Sequence, residues 1–186
     1  LKETFPEAKI YLTDVSQVSL EIVSKNHPEL TVLSPELKTD QKFDYETSKK
    51  MCLDAAEKAS PELRDLFESV LSDGRVDVFP VRGKCSGAYS SSNSNKDVPT
   101  MILLNHKDTL NDAMTVMHEA GHSVHSELSK ANQPLETQDY TIYVAEVASV
   151  FAEFILYDFL MENDNITKET KIIMLEELAN KIISTF

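Results

Sequence analysis

The chain has 186 residues, of which 41% are hydrophobic and four are glycine, enough for one substantial core or for a part of a larger protein. Its 31 acidic and 18 basic residues leave a formal net charge of −13, which repels a phosphate backbone and excludes nucleic acid as the expected partner. Cys52 and Cys85 form no CxxC pair, so neither a disulfide framework nor a thiolate zinc site is predicted, and a reducing cytoplasm is the expected location.

The first part of the chain is predicted to be helical. Residues 14–26 have apolar spacing suited to a short helix, and residues 27–41 form a proline-broken connection. Two consecutive helices follow, one over residues 43–59 and one that starts at Pro61 and is closed by Gly74. Nothing in these helices points to a particular chemistry.

A segment with strand patterning comes next. In RVDVFPV (75–81) alternate residues fall on one face, as in a half-exposed strand, and Pro80 restricts this strand to an edge or an end. PTMILLN (99–105) predicts a second, more buried strand. The glycines and serines of GKCSGAYSSSNSNKD (83–97) predict a turn or hairpin and then a mobile polar loop.

Three helices are predicted to complete the chain, over about residues 110–130, about residues 139–162, and from about residue 167 onward. Thr167 is the expected N-cap of the last helix, with the negative charge of Glu169 in its first turn. Because the sequence begins without Met and stops within a helical pattern, we expect a fragment of a longer protein.

The most apolar stretch of the chain, over residues 141–160, is predicted to be a buried helix. It contains Glu146, Glu153 and Asp158, and inserting it across a bilayer would bury three carboxylates. A membrane span is therefore excluded.

The stretch HEAGHSVHSEL (118–128) carries the main chemical signal. On a helix, His118 and His122 stand about 40° apart and one turn apart, so both imidazoles can bind one ion. Glu119 lies about 100° from His118, which is too far round to bind the same ion directly but suits it to reach a water beside that ion. Glu119 is therefore the candidate general base.

An ordinary helix with polar residues on its solvent side is the alternative explanation, because HExxH occurs by chance in about one in a hundred shuffled sequences of this composition. The neighbouring residues argue against it, since they make the helix apolar on most of its circumference. Those residues are Ala113, Met114, Val116, Met117, Ala120 and Val124. Histidines on a buried helix need partners.

A catalytic zinc usually has three protein ligands, so a third donor is required. His125 lies about 10.5 Å along the helix from His118, and one helix hardly delivers all three rings to one ion. The pattern HExxHxxGxxH also fails, because His125 occupies the glycine position and Leu128 the final histidine position.

Glu146, on the following helix, is the preferred third donor. Gly121 costs about 1 kcal/mol of helix propensity, and close approach of two helices would explain its presence. Small residues on both helices permit such an approach. Glu153, two turns after Glu146, competes for the ligand role or holds a ligand histidine from behind.

These residues resemble the oligoendopeptidase F and thimet oligopeptidase family of zinc metallopeptidases. The resemblance rests on four segments in order: GKCSGAYS (83–90), PTMILLN (99–105), HEAGHSVH (118–125), and EVAS (146–149) followed by Glu153. It implies a mainly α protein with a zincin-like catalytic core and a small β-sheet or hairpin before the HExxH helix. It also implies one Zn²⁺ per chain and cleavage of short peptides.

The resemblance assigns roles residue by residue. It implies that His118, His122 and Glu146 bind zinc and that Glu119 is the catalytic base. Supporting or substrate-side roles are implied for His125, Glu153, Gly87 and Ala88, although His125 fits equally well as a satisfied buried histidine and Gly87 as a simple turn residue. Relatives also carry an oxyanion-stabilising tyrosine and histidine that we expect outside this chain.

We therefore expect residues 75–186 to form the zinc-binding catalytic core and residues 1–74 a helical segment of the same peptidase. The expected partners are short peptides, with no nucleic acid and no membrane. Two other functions remain open at this stage: a non-catalytic scaffold in which zinc pins two helices, and a helical interaction module whose histidines bind nothing. An open ligand position beside a cleft separates the peptidase from the scaffold, because structural zinc is closed by four protein ligands.

Overall fold

The computed structural model describes residues 11–13, 25, 31–33 and 39–185. Contacts group the chain into two compact units, residues 1–38 and residues 39–186. The boundary predicted after residue 74 is a different one, because it separates the catalytic core from the helical segment before it. It stays a prediction.

In the first unit, β1 (Tyr11–Thr13) pairs in parallel with β2 (Thr31–Leu33). The helix predicted over residues 14–26 lies outside the described residues except at Lys25, which is helical. β2 lies within the predicted connection, so that prediction was wrong at residues 31–33. Three residues are too few to show the period-two pattern of a strand.

The second unit is mainly helical, with a small sheet before its longest helix, as the sequence predicted. Its elements in chain order are α1 (Tyr45–Ala59), α2 (Pro61–Val70), β3 (Val76–Asp77), β4 (Tyr89–Ser91), β5 (Met101–Leu103), α3 (Leu110–Asn132), α4 (Ile142–Glu162) and α5 (Lys168–Thr185).

Helix starts follow the capping rules. Ser60 ends α1 and caps α2 through its hydroxyl, which accepts from the Leu63 N–H. Thr109 and Asp112 form a reciprocal capping box at the start of α3. Thr167 accepts from the N–H of Thr170 at the start of α5, as predicted.

The three-stranded sheet has the order β3-β5-β4, with β3 parallel and β4 antiparallel to β5. Ser90 of β4 lies opposite Ile102 of β5. β4 therefore lies within the segment predicted as a turn or hairpin and then a mobile polar loop, and it pairs with β5 and not with β3. Tyr89 favours a strand but three residues give only a weak signal, and β4 forms because β5 offers it hydrogen-bonding partners.

α3 and α4 form the main helix pair, with α1 and α2 packed against them. The largest fully buried side chains lie in the shared core: Phe43, Phe67, Leu71, Leu104, Met117, Leu156, Leu160 and Met174. The prediction that α4 is buried was wrong for one of its faces, where Tyr143, Val147 and Phe151 are exposed. α4 is apolar around its circumference, but within residues 39–185 only one side is covered. None of the described helices is long and apolar enough to cross a bilayer.

Candidate metal centre

Close contact between α3 and α4 brings the candidate donors together. A Cβ placed on Gly121 would lie 2.8 Å from the Cβ of Ala152 and 3.0 Å from the Cα of Ser149, so only glycine fits without a shift. The structure confirms that small residues allow this approach. As a result, Glu146 at the start of α4 lies beside the ring of His118 on α3.

The predicted ligands His118, His122 and Glu146 form one cluster. The Nε2 atoms of the two histidines are 3.1 Å apart, and the rings meet edge to face. Glu146 Oε2 is 3.5 Å from Nε2 of His118, and its Oε1 is 3.7 Å from Nε2 of His122. One ligand atom from each residue can be chosen so that all three lie within 4.8 Å of one another, a set suited to hold a metal ion.

The opposite nitrogen of His118 is held by Glu153, which lies outside the three-donor set. Nδ1 of His118 is 2.5 Å from Oε1 of Glu153. Burial alone would raise the pKa of Glu153, but hydrogen bonds from His118 and Lys181 outweigh it and lower that pKa. Because Glu153 is then an ionised acceptor, His118 donates through Nδ1–H and leaves the Nε2 lone pair for the cluster.

The two histidines differ in their electrostatic surroundings. Burial opposes protonation of His118, but the hydrogen bond and charge of Glu153, with the charges of Glu119 and Glu146, raise its pKa. Burial and the neighbouring His118 lower the pKa of His122. His122 is thus neutral near neutral pH, the form in which imidazole binds metals.

Glu146 is oriented by its own helix. Ser149, one turn later, donates its hydroxyl to Oε2 of Glu146 at 2.8 Å. This bond fixes the carboxylate on the side of α4 that faces the two rings.

Glu119 lies on the cleft side of α3 and is 7% exposed. Burial raises its pKa, although the charge of His118 and a hydrogen bond from the backbone N–H of Ser90 act in the opposite direction. A carboxylate with a raised pKa beside a candidate metal site is suited to accept and return a proton.

A cleft of about 460 Å³ opens beside these residues. It lies between α3, the start of α4 and the edge strand β4. Its described lining residues are Ala88, Tyr89, Ser90, Ser92, His118, Glu119, His122, Ser126, Tyr140, Ile142, Ala145 and Glu146. Ala88 therefore lies in the wall of the cleft.

Gly87 is placed differently from Ala88. It has a φ of +82°, and its carbonyl accepts from Nδ2 of Asn105 at 2.8 Å. Its position is that of a turn residue, because a positive φ favours glycine.

His125 is not part of the three-donor cluster. Its ring stacks on Tyr140 with a centroid distance of 4.1 Å and an interplanar angle of 28°. Its Nδ1 is buried and has no hydrogen-bond partner among residues 39–185, and burial lowers its pKa. The stack places Tyr140, whose hydroxyl is 2.5 Å from that of Ser126, in the cleft wall.

Sequence reasoning assigned no individual role to several polar residues of the site: Ser90, Tyr140, Ser149 and Lys181. Ser149 lies three residues after a candidate ligand, and this helical spacing offered a signal for a hydrogen bond. The other three reach the site through tertiary contacts that no local pattern encodes.

The chain is similar in sequence to known peptidases. The chain matches the profile of peptidase family M3 over residues 29–186. An oligoendopeptidase F homolog of Borreliella burgdorferi is 40% identical over 122 residues, which are 65% of this chain and 20% of that protein. The chromosomal oligoendopeptidase F of Lactococcus lactis subsp. cremoris is 35% identical over 138 residues, 74% of this chain and 23% of that protein.

Solved structures give the same result. The crystal structure of a peptidase from Chlamydophila abortus superposes with a TM-score of 0.72 at 30% sequence identity, covering 90% of this chain and 31% of that one. The chain spans about a fifth of the length of the curated relatives described above, which it covers to 20% and 23%. Since the family profile matches most of the sequence, the chain belongs to peptidase family M3, together with the oligoendopeptidases F.

Proposed function

We propose that this chain carries the catalytic centre of a zinc-dependent oligopeptidase. In this proposal His118, His122 and Glu146 hold one Zn²⁺, and Glu119 is the general base. The observation that carries the proposal is the convergence of two imidazole nitrogens and one carboxylate beside an open cleft. Membership of a peptidase family supports it independently.

The distances fit a zinc ion. Two ligands of a tetrahedral zinc, each about 2.0–2.1 Å from the metal, lie about 3.3 Å from one another. In the cluster the two imidazole nitrogens are 3.1 Å apart, and each lies 3.5 or 3.7 Å from one of the two oxygens of Glu146. The chemistry also fits, because a neutral imidazole and a carboxylate are donors that zinc prefers.

The chain's own residues would then act as follows. Bound zinc would supply a Lewis acid that polarises the scissile carbonyl and acidifies the attacking water. Glu119 takes the proton from that water and returns it to the leaving amine. Glu153 holds the ring of His118, and Ser149 holds the carboxylate of Glu146, so that the donors do not have to reorganise during the reaction.

The cleft suits an extended peptide. β4 is an edge strand of the sheet, and an unpaired strand edge can add the backbone of a peptide as a further strand. Ala88 and Ser90 lie at this edge beside Glu119, which would place a peptide carbonyl near the metal. The relatives' name, oligoendopeptidase, supports short peptides as the substrate class.

A non-catalytic zinc scaffold is the alternative. Structural zinc is closed by four protein ligands, whereas the cluster found among the described residues offers three. The adjoining cleft of about 460 Å³ leaves room for water and substrate, which favours a catalytic centre.

We further propose that residues 75–186 hold the catalytic core and residues 1–74 support it, since every proposed ligand and the base belong to the later part. A cytoplasmic location is supported by two free cysteines, Cys52 in the core and Cys85 on the surface.

The proposal is tested by Glu119→Gln, which removes the base but none of the ligands. We expect the variant to keep one zinc per chain by elemental analysis and to lose at least about 100-fold in kcat/KM on a quenched fluorescent peptide. Glu68→Gln, an exposed position on α2, is the matched control and should behave like the wild type. Full activity in the Glu119 variant would remove it from the mechanism, and a wild type that binds no zinc would contradict the proposed centre.

A further inference from the structure

The carboxylate that holds His118 is itself held from a third helix. Glu153 uses Oε1 for Nδ1–H of His118 at 2.5 Å, and its Oε2 accepts from the ammonium of Lys181 on α5. Only 9% of the Glu153 side chain is exposed, against 40% of Lys181. The cation therefore reaches from the surface to a nearly buried carboxylate.

We propose that Lys181 is a positioning residue of the metal centre, acting through Glu153 on the ring of His118. The inference rests on the proposed role of His118 as a ligand. Through this chain of contacts α5 becomes a third structural element of a site whose ligands all come from α3 and α4.

The charges around Glu153 explain why a cation is required. Glu153 and Glu177 line one cavity of about 490 Å³ together with His118 and Lys181, and burial and the charge of Glu153 raise the pKa of Glu177. Without Lys181, Glu153 would lie nearly buried beside a second negative charge. It would then gain from turning towards solvent, and in doing so it would release Nδ1–H of His118.

The hydrogen bond to Glu153 matters for metal binding because it selects the tautomer of the imidazole. With the proton held on Nδ1, the lone pair of Nε2 faces His122 and Glu146. If Glu153 turns away, Nδ1 no longer has to carry the proton, and the ring also gains rotational freedom. Loss of such an outer hydrogen-bond partner typically lowers metal affinity by about 10–100-fold.

The experiment replaces Lys181 by Met and by Arg in the 186-residue chain. Zinc affinity is measured by competition with a chromophoric chelator. We expect Lys181→Met to lower the affinity by about 10-fold, at the weak end of the range for outer partners, and Lys181→Arg to retain most of it. Lys168→Met, an exposed position on the same helix, is the matched control for the loss of one positive charge and should bind zinc like the wild type.

Two further measurements separate positioning from general stability. In the Glu153→Gln background, Lys181→Met should cause no additional loss of zinc affinity, because its effect passes through that carboxylate. In metal-free protein at a pH where the ring is neutral, NMR of the imidazole nitrogens should find the His118 proton on Nδ1 in the wild type. That proton should shift towards Nε2 in Lys181→Met and stay in place in Lys181→Arg.

An unchanged zinc affinity together with an unchanged His118 tautomer in Lys181→Met would overturn the inference. So would equal losses from Lys181→Met and Lys168→Met. A wild type that binds no zinc would overturn the proposed function instead, and the tautomer measurement would still decide whether Lys181 positions the ring of His118.

Discussion

Helix α3 contributes side chains to two polar clusters, and the contrast between them shows that one of the two requires a cation. In the first cluster, His118, His122 and Glu146 present nitrogen and oxygen atoms to one another at 3.1–3.7 Å. In the second, Glu127 lies among donors. We call these the metal-site cluster and the Glu127 cluster.

Hydrogen bonds and charges satisfy the Glu127 cluster. Oε1 of Glu127 accepts from Nη2 of Arg75 at 2.6 Å, from the N–H and hydroxyl of Thr100 at 2.7 and 3.0 Å, and from Nζ of Lys130 at 3.3 Å. These bonds attach the start of β5 to α3. The metal-site cluster has more acceptor atoms than donors. Its three side chains supply at most one proton between them, and the two rings share it. The first cluster therefore calls for a cation, whereas the second already contains two.

The largest effect is expected from Glu146→Ala, which removes one of three donors. Zinc affinity should fall by more than the 100-fold that marks the upper range for outer partners, as measured by chelator competition. Glu162→Ala, at the other end of α4, removes a carboxylate that contacts Lys58 and should leave zinc affinity unchanged. If Glu146→Ala bound zinc like the wild type, the carboxylate would have no place in the metal-site cluster.

The corresponding change in the other cluster is Glu127→Ala, and it should affect folding instead of metal binding. It leaves the side chains of Arg75 and Lys130, which are 17% and 6% exposed, without their shared carboxylate. We expect a loss of about 2 kcal/mol in the free energy of unfolding, measured by urea denaturation of the metal-free chain.

Zinc affinity of the folded Glu127→Ala variant should match the wild type. A large loss of zinc affinity without loss of stability would reverse the roles assigned to the two clusters.

The sequence predicted most of the metal-site cluster and none of the Glu127 cluster. The spacing of His118 and His122 on one helix face is local, so it was correctly read as bringing both rings together. The proximity of Glu146 followed from small residues that allow two helices to meet, a weaker but physical signal. The sequence left two roles open for Glu153, as a ligand or as the support of a ligand histidine. Two helical turns place Glu146 and Glu153 on nearly the same face of α4, and only the packing of α3 decides which carboxylate meets which nitrogen.

Contacts between distant segments were beyond the sequence. Lys181 reaches Glu153 from another helix, and the Glu127 cluster joins residues from three elements that share no pattern. The strand β4 was missed for the same reason, since Ser90 gains its extended conformation from pairing with Ile102. The helices of the second unit were predicted within a few residues, because signals such as the proline at the start of α2 act locally.

A smaller effect is expected from Gly121→Ala, which tests the contact that builds the metal-site cluster. The new Cβ would lie 2.8 Å from that of Ala152, and overpacking of this kind costs about 1–3 kcal/mol. Replacing glycine within a helix returns about 1 kcal/mol. We expect a net loss of about 1 kcal/mol in the free energy of unfolding, together with weaker zinc binding.

The double variant Gly121→Ala/Ala152→Gly serves as the control, because it removes the closest contact. It should recover part of the zinc affinity, although the Cα of Ser149 remains 3.0 Å from the new Cβ. If Gly121→Ala bound zinc normally and gained stability, the helices would not be in the tight contact that we describe.

The smallest effect concerns pH and again separates the two clusters. Burial would raise the pKa of Glu127, but hydrogen bonds from Thr100 and the charge of Lys130 outweigh it and lower that pKa. A glutamate whose pKa is lower in the folded than in the unfolded chain stabilises the fold above its unfolded pKa of about 4.3. This contribution is lost as the pH falls through the folded pKa.

The free energy of unfolding of the metal-free wild type should therefore decrease as the pH falls below about 4.3. Part of that decrease should be absent in Glu127→Gln, which has no titrating group at this position. Urea midpoints of both proteins, measured from pH 6 downward, give the difference. Because Glu127→Gln keeps an oxygen acceptor for Thr100, the two curves should lie closest at the acid end and separate as the pH rises through the folded pKa of Glu127. Parallel curves would mean that the ionised form of Glu127 gives the fold no more stability than the protonated form. The contrast between a satisfied cluster and one that requires a cation would then rest on the metal-site cluster alone.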